Sequence, residues 1–189
     1  MRALLLRGPN RPFDLVDMPD PVAGPGEAVA RVLTCGSGLT IQHIKAGRIA
    51  ARFPTIIGHE ITAEIVEVGA GVTAVKEGDA VTSYYYLNCG HCRWCYANLE
   101  PLCENSGGNV GITCNGGYAE YIKLPAHLFI KFPASLDYKA HPAECGVVMR
   151  RAPFCRYSTP TARLPENTIR VACAPVAIER LARSRTGRR

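Results

Sequence analysis

No stretch of the 189 residues approaches the roughly 20 consecutive apolar residues that a membrane helix needs, and the opening MRALLLRGPNRPF is broken by Arg7 before it could serve as a secretory h-region. These absences lead to the expectation of a cytoplasmic protein with no membrane partner. Lysine is missing after residue 150, and glycine occurs there once, as Gly187. The motif G-x-G-x-x-G, whose glycines let a dinucleotide pyrophosphate approach a helix N-terminus, occurs nowhere. Internal repeats are absent as well.

What is present suffices for a core, since 47% of the residues are hydrophobic, the proportion of a globular chain. There are nine cysteines. In a reducing compartment disulfides persist poorly, and an odd count leaves a thiol over, so clustered cysteines point to metal. The formal charge of +6 is unevenly divided: residues 1–150 hold 13 Lys+Arg against 14 Asp+Glu, whereas residues 151–189 hold 9 Arg, no Lys and 2 Glu. The basic balance belongs to the tail and says nothing about the body.

Up to about residue 135 the chain reads as short β segments set off by Pro and Gly. RALLLRG, FDLVDMP, EAVARVLT, ITAEIVEVG, DAVTSYYY, YAEYIKLP and LFIKFP are β-branched, aromatic or alternating in character, bounded by turns such as GPN, PGE, GAGV and KEGD. The pattern predicts a mainly β barrel or sandwich. Behind Ser135 as N-cap, Leu136, Ala140, Ala143 and Val147 recur at roughly helical spacing, which predicts a helix running into the 140s, with Pro142 against its early turns. Beyond Arg150 no period is sustained; a weakly ordered tail is expected, with one short helix over 176–183.

The densest feature is CGHCRWCYANLEPLC, in which Cys89, Cys92, Cys95 and Cys103 fall at the spacing C-x2-C-x2-C-x7-C. Four thiolates satisfy the tetrahedral preference of Zn2+ and leave no open position, so such a site is structural. A zinc finger would separate two ligand pairs by a longer stretch, and a ferredoxin run would close with C-x3-C-P, whereas here x7 intervenes and Glu104 follows. His91 lies inside the loop and is read as solvated.

Cys35 in CGS, His59 and Glu60 in GHE, and Cys145 in ECG are far apart in sequence, and each alone is more simply a packing or surface residue. Together with the quartet, GDAV at 78–81 and GGYAEY at 116–121, they resemble the zinc-dependent medium-chain alcohol dehydrogenase family over residues 1 to about 150. The resemblance implies a GroES-like β-barrel catalytic domain with a zinc-binding lobe, a few short helices and two zincs. It implies Cys35, His59 and Cys145 as protein ligands of a catalytic zinc, with Glu144 the rival to Cys145. Glu60 corresponds to the carboxylate that approaches the metal during ligand exchange, and Ser37 to the hydroxyl that passes a proton outward. An open-site zinc is a Lewis acid that lowers the pKa of a bound hydroxyl, the chemistry that precedes hydride loss to a nicotinamide.

Two departures stand out. The family continues Cys-Gly-Ser with Asp and, shortly after, His; this chain has Gly38 and Thr40, and His43 is the candidate stand-in. The family also continues into a Rossmann domain, whose fingerprint is missing here. The expectation is therefore a zinc-binding catalytic domain over 1–150 of an NAD- or NADP-dependent alcohol dehydrogenase, truncated or frame-disrupted and inactive by itself, followed by an Arg-rich tail over 151–189. Its partner is a small-molecule alcohol or carbonyl compound, with oligomerisation left open. The alternative is a non-enzymatic zinc-binding or interaction module whose tail contacts nucleic-acid phosphates, a reading weakened by the lack of RNA-type aromatic interleaving in that tail.

Overall fold

The computed structural model describes residues 1–133. The helix expected behind Ser135, Glu144, Cys145, the tail and the boundary near residue 150 lie outside the described residues. Ten strands dominate: β1 (Arg2–Leu6), β2 (Phe13–Asp17), β3 (Glu27–Cys35), β4 (Thr55–Ile56), β5 (Ile61–Val68), β6 (Ala80–Ser83), β7 (Tyr86–Leu87), β8 (Gly108–Asn109), β9 (Tyr121–Pro125) and β10 (Phe129–Lys131). Two short helices, α1 (Leu39–Lys45) and α2 (Arg93–Tyr96), interrupt them, with 3-10 turns at Glu100–Leu102 and Ala126–Leu128. The mainly β expectation holds. No helix among the described residues is long and apolar enough to cross a membrane.

Five antiparallel strands in the order β10-β6-β5-β3-β9 form the larger sheet, and β2-β1-β4 forms a smaller one. Residues 118–120 make the seam between them: Leu4 N donates to Tyr118 O at 2.8 Å, Glu120 N to Arg2 O at 3.1 Å, and Val32 N to Glu120 O at 2.9 Å. The alternation of β5 turns Ile61, Ala63 and Ile65 inward with Ala28 and Ala30 of β3, onto a core completed by Val81, Ile122, Leu124 and Phe129. A second cluster packs Leu4 and Leu6 against Ile41 and Ile44 of α1, with Ile56, Ile57 and Tyr118. Cys35 touches both clusters.

All seven segments read as strands contain strand, with two refinements. DAVTSYYY is divided, because Tyr84 N turns to bond Leu128 O at 2.7 Å and Tyr86 pairs with Asn109 across the β7–β8 ladder. The stretch after Ser37 carries α1, whose signal was only the buried pair Ile41 and Ile44. Gly47, at φ +72, ends it in the left-handed conformation that closes many helices. Strands β4 and β8 have two residues each, too few for any periodicity to announce them.

Candidate metal centres

The lobe between β7 and β8 is built by the local chain. Cys89 follows β7, Gly90 turns the backbone at φ +76, Cys92 stands at the N-cap of α2, and Cys95 lies within that helix. Leu99 N reaches back to Trp94 O at 2.8 Å, and the 3-10 turn from Glu100 then delivers Cys103. Four sulfurs converge, all within 4.8 Å of one another. Cys92 and Cys95 are 3.5 Å apart, and Cys89–Cys95 and Cys92–Cys103 are each 3.9 Å. Thiolates placed about 2.3 Å from a tetrahedral Zn2+ would be about 3.8 Å from one another, so the cage has the dimensions of a zinc tetrathiolate.

The surroundings of these sulfurs are unequal. The backbone N–H of His91, together with Cys103 and the Asn105 amide, draws the Cys89 thiol down to about 6, and the Cys95 N–H heads the causes that lower Cys92. Burial, followed by the neighbouring Cys92 thiol, pushes Cys95 up to about 12. A cation bound among them would replace several protons at once. On the lobe's outer side Arg93 pairs with Glu104 at 2.7 Å and lies 4.9 Å from the Trp94 ring. His91 is exposed, its Nδ1 at 2.7 Å from Cys89 O.

The second set gathers where β3 ends and β5 begins. Register pairs Cys35 with Ile61, and Gly36 N donates to Glu60 O at 2.8 Å, so loop 36–38 lies beside loop 58–60. Glycines clear the space around the sulfur: a β-carbon on Gly58 or Gly117 would fall 2.7 or 2.9 Å from Cys35 Sγ. The Glu60 carboxylate lies over Gly36 and Gly38, where a β-carbon on Gly36 would run into Oε2 and one on Gly38 would come within 3.1 Å of Oε1. His59 Nδ1 is buried with no hydrogen-bond partner among the described residues. Burial lowers the His59 pKa, with Glu60 opposing, so its imidazole is held neutral, the form that ligates metal. Its ring leans on Tyr85 at 4.7 Å between centroids.

A buried imidazole nitrogen with no hydrogen-bond partner among the described residues has the chemistry of a divalent-metal ligand. The quartet, however, is the one group of three or more donors already drawn together among the described residues. Cys145 and its rival Glu144 lie outside them. Ser37 is exposed in the loop before α1. His43 is half-buried on α1, its Nδ1 3.3 Å from Arg48 Nη1. The contacts of Tyr85 with His59 and of His127 with Asn88 had no sequence signal, because each joins residues brought together only by folding.

Residues 24–134 match the model of the alcohol dehydrogenase GroES-like domain. The chain belongs to that family. This GroES-like domain is 36% identical over 146 residues to the L-threonine 3-dehydrogenase of Streptomyces avermitilis, a match covering 74% of the chain and 42% of that protein. It is 36% identical over 152 residues to an alcohol dehydrogenase of Geobacillus stearothermophilus, covering 78% and 45%. Among solved structures, a cobalt- and zinc-bound thermostable alcohol dehydrogenase from Pyrobaculum aerophilum is similar with a TM-score of 0.66 at 39% identity, over 71% of this chain and 41% of that one. The chain thus spans less than half the length of each of these relatives.

Proposed function

We propose that this GroES-like domain is the zinc-holding, alcohol-binding part of an NAD- or NADP-dependent alcohol dehydrogenase, with a small alcohol or carbonyl compound as substrate. The quartet Cys89, Cys92, Cys95 and Cys103 holds a structural zinc, and Cys35, His59 and a third ligand, Cys145 or Glu144, hold a catalytic one. The observation that supports the reading is the buried His59 Nδ1, which has no hydrogen-bond partner among the described residues, on the loop that enters β5 opposite the end of β3 where Cys35 pairs with Ile61. Zinc bound there would supply a Lewis acid that makes an alcohol hydroxyl acidic near neutral pH. Ser37, exposed in the loop before α1, is assigned the hydroxyl that hands that proton to solvent. Glu60, whose carboxylate lies over the backbone of Gly36 and Gly38, is assigned the role of the carboxylate that exchanges with a ligand.

Native mass spectrometry of the full chain tests this reading. Two zinc ions are expected, with Cys35→Ser and His59→Ala each removing one and Cys92→Ser the other. A single zinc that survives both Cys35→Ser and His59→Ala would refute the catalytic site while leaving the structural one standing.

A further inference from the structure

We propose that His127 is a positioning residue for the four-cysteine lobe, fixing from outside the turn that carries its first two metal ligands. The inference rests on the reading of the quartet as a zinc site. His127 sits in the 3-10 turn between β9 and β10, flanked by Ala126 and Leu128, which are 5% and 0% exposed and anchor the turn in the barrel. From there its Nε2 lies 3.0 Å from the carbonyl oxygen of Asn88, a residue 39 positions earlier. A carbonyl can only accept, so Nε2 carries the proton.

Asn88 immediately precedes Cys89 and is itself bound into the lobe. Its side-chain Nδ2 donates to Tyr86 O at 3.3 Å, and Cys95 Sγ lies 3.8 Å from its Oδ1. The same edge of the imidazole packs over Gly90: a β-carbon there would meet His127 Cδ2 at 3.3 Å and Nε2 at 3.4 Å. One ring therefore bonds the residue before Cys89 and packs against the residue after it. The Cys89 sulfur inherits its place from that backbone, where the N–H of Cys89 also donates to Cys103 Sγ at 3.3 Å. Without the His127 donor, the turn between Cys89 and Cys92 would have to be ordered by the metal itself at each binding event. Partners of this outer kind typically change metal affinity by about 10- to 100-fold.

The test measures zinc release to a chromophoric chelator from the full chain carrying Cys35→Ser, which disables the other candidate site. His127→Phe keeps ring bulk and removes the donor, whereas His127→Gln keeps an N–H at similar reach. The Phe variant should release zinc at least about tenfold faster and the Gln variant within about threefold of the parent, with metal-free unfolding midpoints that agree among all three. Equal release from Phe and parent, or a Phe defect that appears equally in the metal-free unfolding midpoint, would overturn the proposal. Nitrogen-15 NMR of the unsubstituted chain gives an independent check: an Nε2–H tautomer at His127 is expected, and an Nδ1–H tautomer would overturn it. A parent chain that retains no zinc would sink the metal reading and this inference together, whereas unaltered release kinetics from a zinc-loaded chain would sink this inference alone.

Discussion

Gly58 and Cys35 approach so closely that a β-carbon at position 58 would lie 2.7 Å from the Cys35 sulfur. Gly58 also holds φ +100, a conformation that L-residues rarely adopt. Gly58→Ala is therefore opposed both by the backbone and by the thiol, and should lower unfolding free energy by about 1–3 kcal/mol. It should also empty the proposed catalytic site, because the thiol that the site requires is displaced. Urea denaturation and metal counting by native mass spectrometry read the two effects; a variant with parental stability and two zincs would contradict this account.

Ligand loss should act differently at the two centres. The four ligands of the quartet all lie within one short lobe, so the binding free energy of its metal is part of the folding free energy of that lobe. Cys92→Ser should open residues 86–104 to limited proteolysis, whereas Cys35→Ser should leave that segment protected because both core clusters still hold the end of β3. Identical cleavage maps for the two variants would argue against a structural and a catalytic site.

Gly38 stands where the sequence resemblance implies an Asp, and the Glu60 carboxylate lies over it. Restoring the acidic residue by Gly38→Asp should accordingly fail as a repair. Two carboxylates would share one small space, each disfavouring the charged form of the other. Chelator competition should show zinc affinity at the Cys35–His59 site reduced by roughly tenfold, with Gly38→Asn less affected because it adds bulk without charge. Tighter zinc binding by the Asp variant would mean that Glu60 does not occupy that role.

At the seam between the sheets, Arg2 donates to Glu120 from its backbone N at 2.8 Å and from Nε at 2.9 Å. The backbone N–H of Arg2 is the largest cause holding the Glu120 carboxyl below its usual range, and the Arg2 side chain is the next. The unfolded chain thus binds more protons than the folded one at acidic pH. The stability contributed by Glu120 is present above the unfolded carboxylate pKa of about 4.5 and is lost as pH falls through the lower folded value. Glu120→Gln should flatten the acid side of the stability profile, by no more than about 1 kcal/mol because both side chains are partly in water. Calorimetric unfolding between about pH 3 and 6 checks the sign; an unchanged acid slope would remove Glu120 from the explanation.

The spacing of the cysteines made the quartet legible in the sequence, because a short loop can turn around an ion with little help from the rest of the chain. The strands were legible for a similar reason: ITAEIVEV states in its own alternation which face of β5 is buried. Helix α1 was passed over because its apolar signal came from Ile41 and Ile44 in a segment of only seven residues. The proposed Cys35–His59–Glu60 grouping came from resemblance alone, since no local pattern ties CGS to GHE.

By itself the sequence determined the elements whose causes are local: alternating strands, glycine-marked turns and the ligand order of the lobe. Only the tertiary structure decided that the register of β3 on β5 sets Cys35 opposite Ile61, that Glu60 lies over Gly36 and Gly38, and that His127 reaches Asn88 across 39 residues. Those relations follow from how strands pair and how a core closes. Pairing between distant segments is selected by the burial it achieves as a whole, and that is a property no single window of the chain contains.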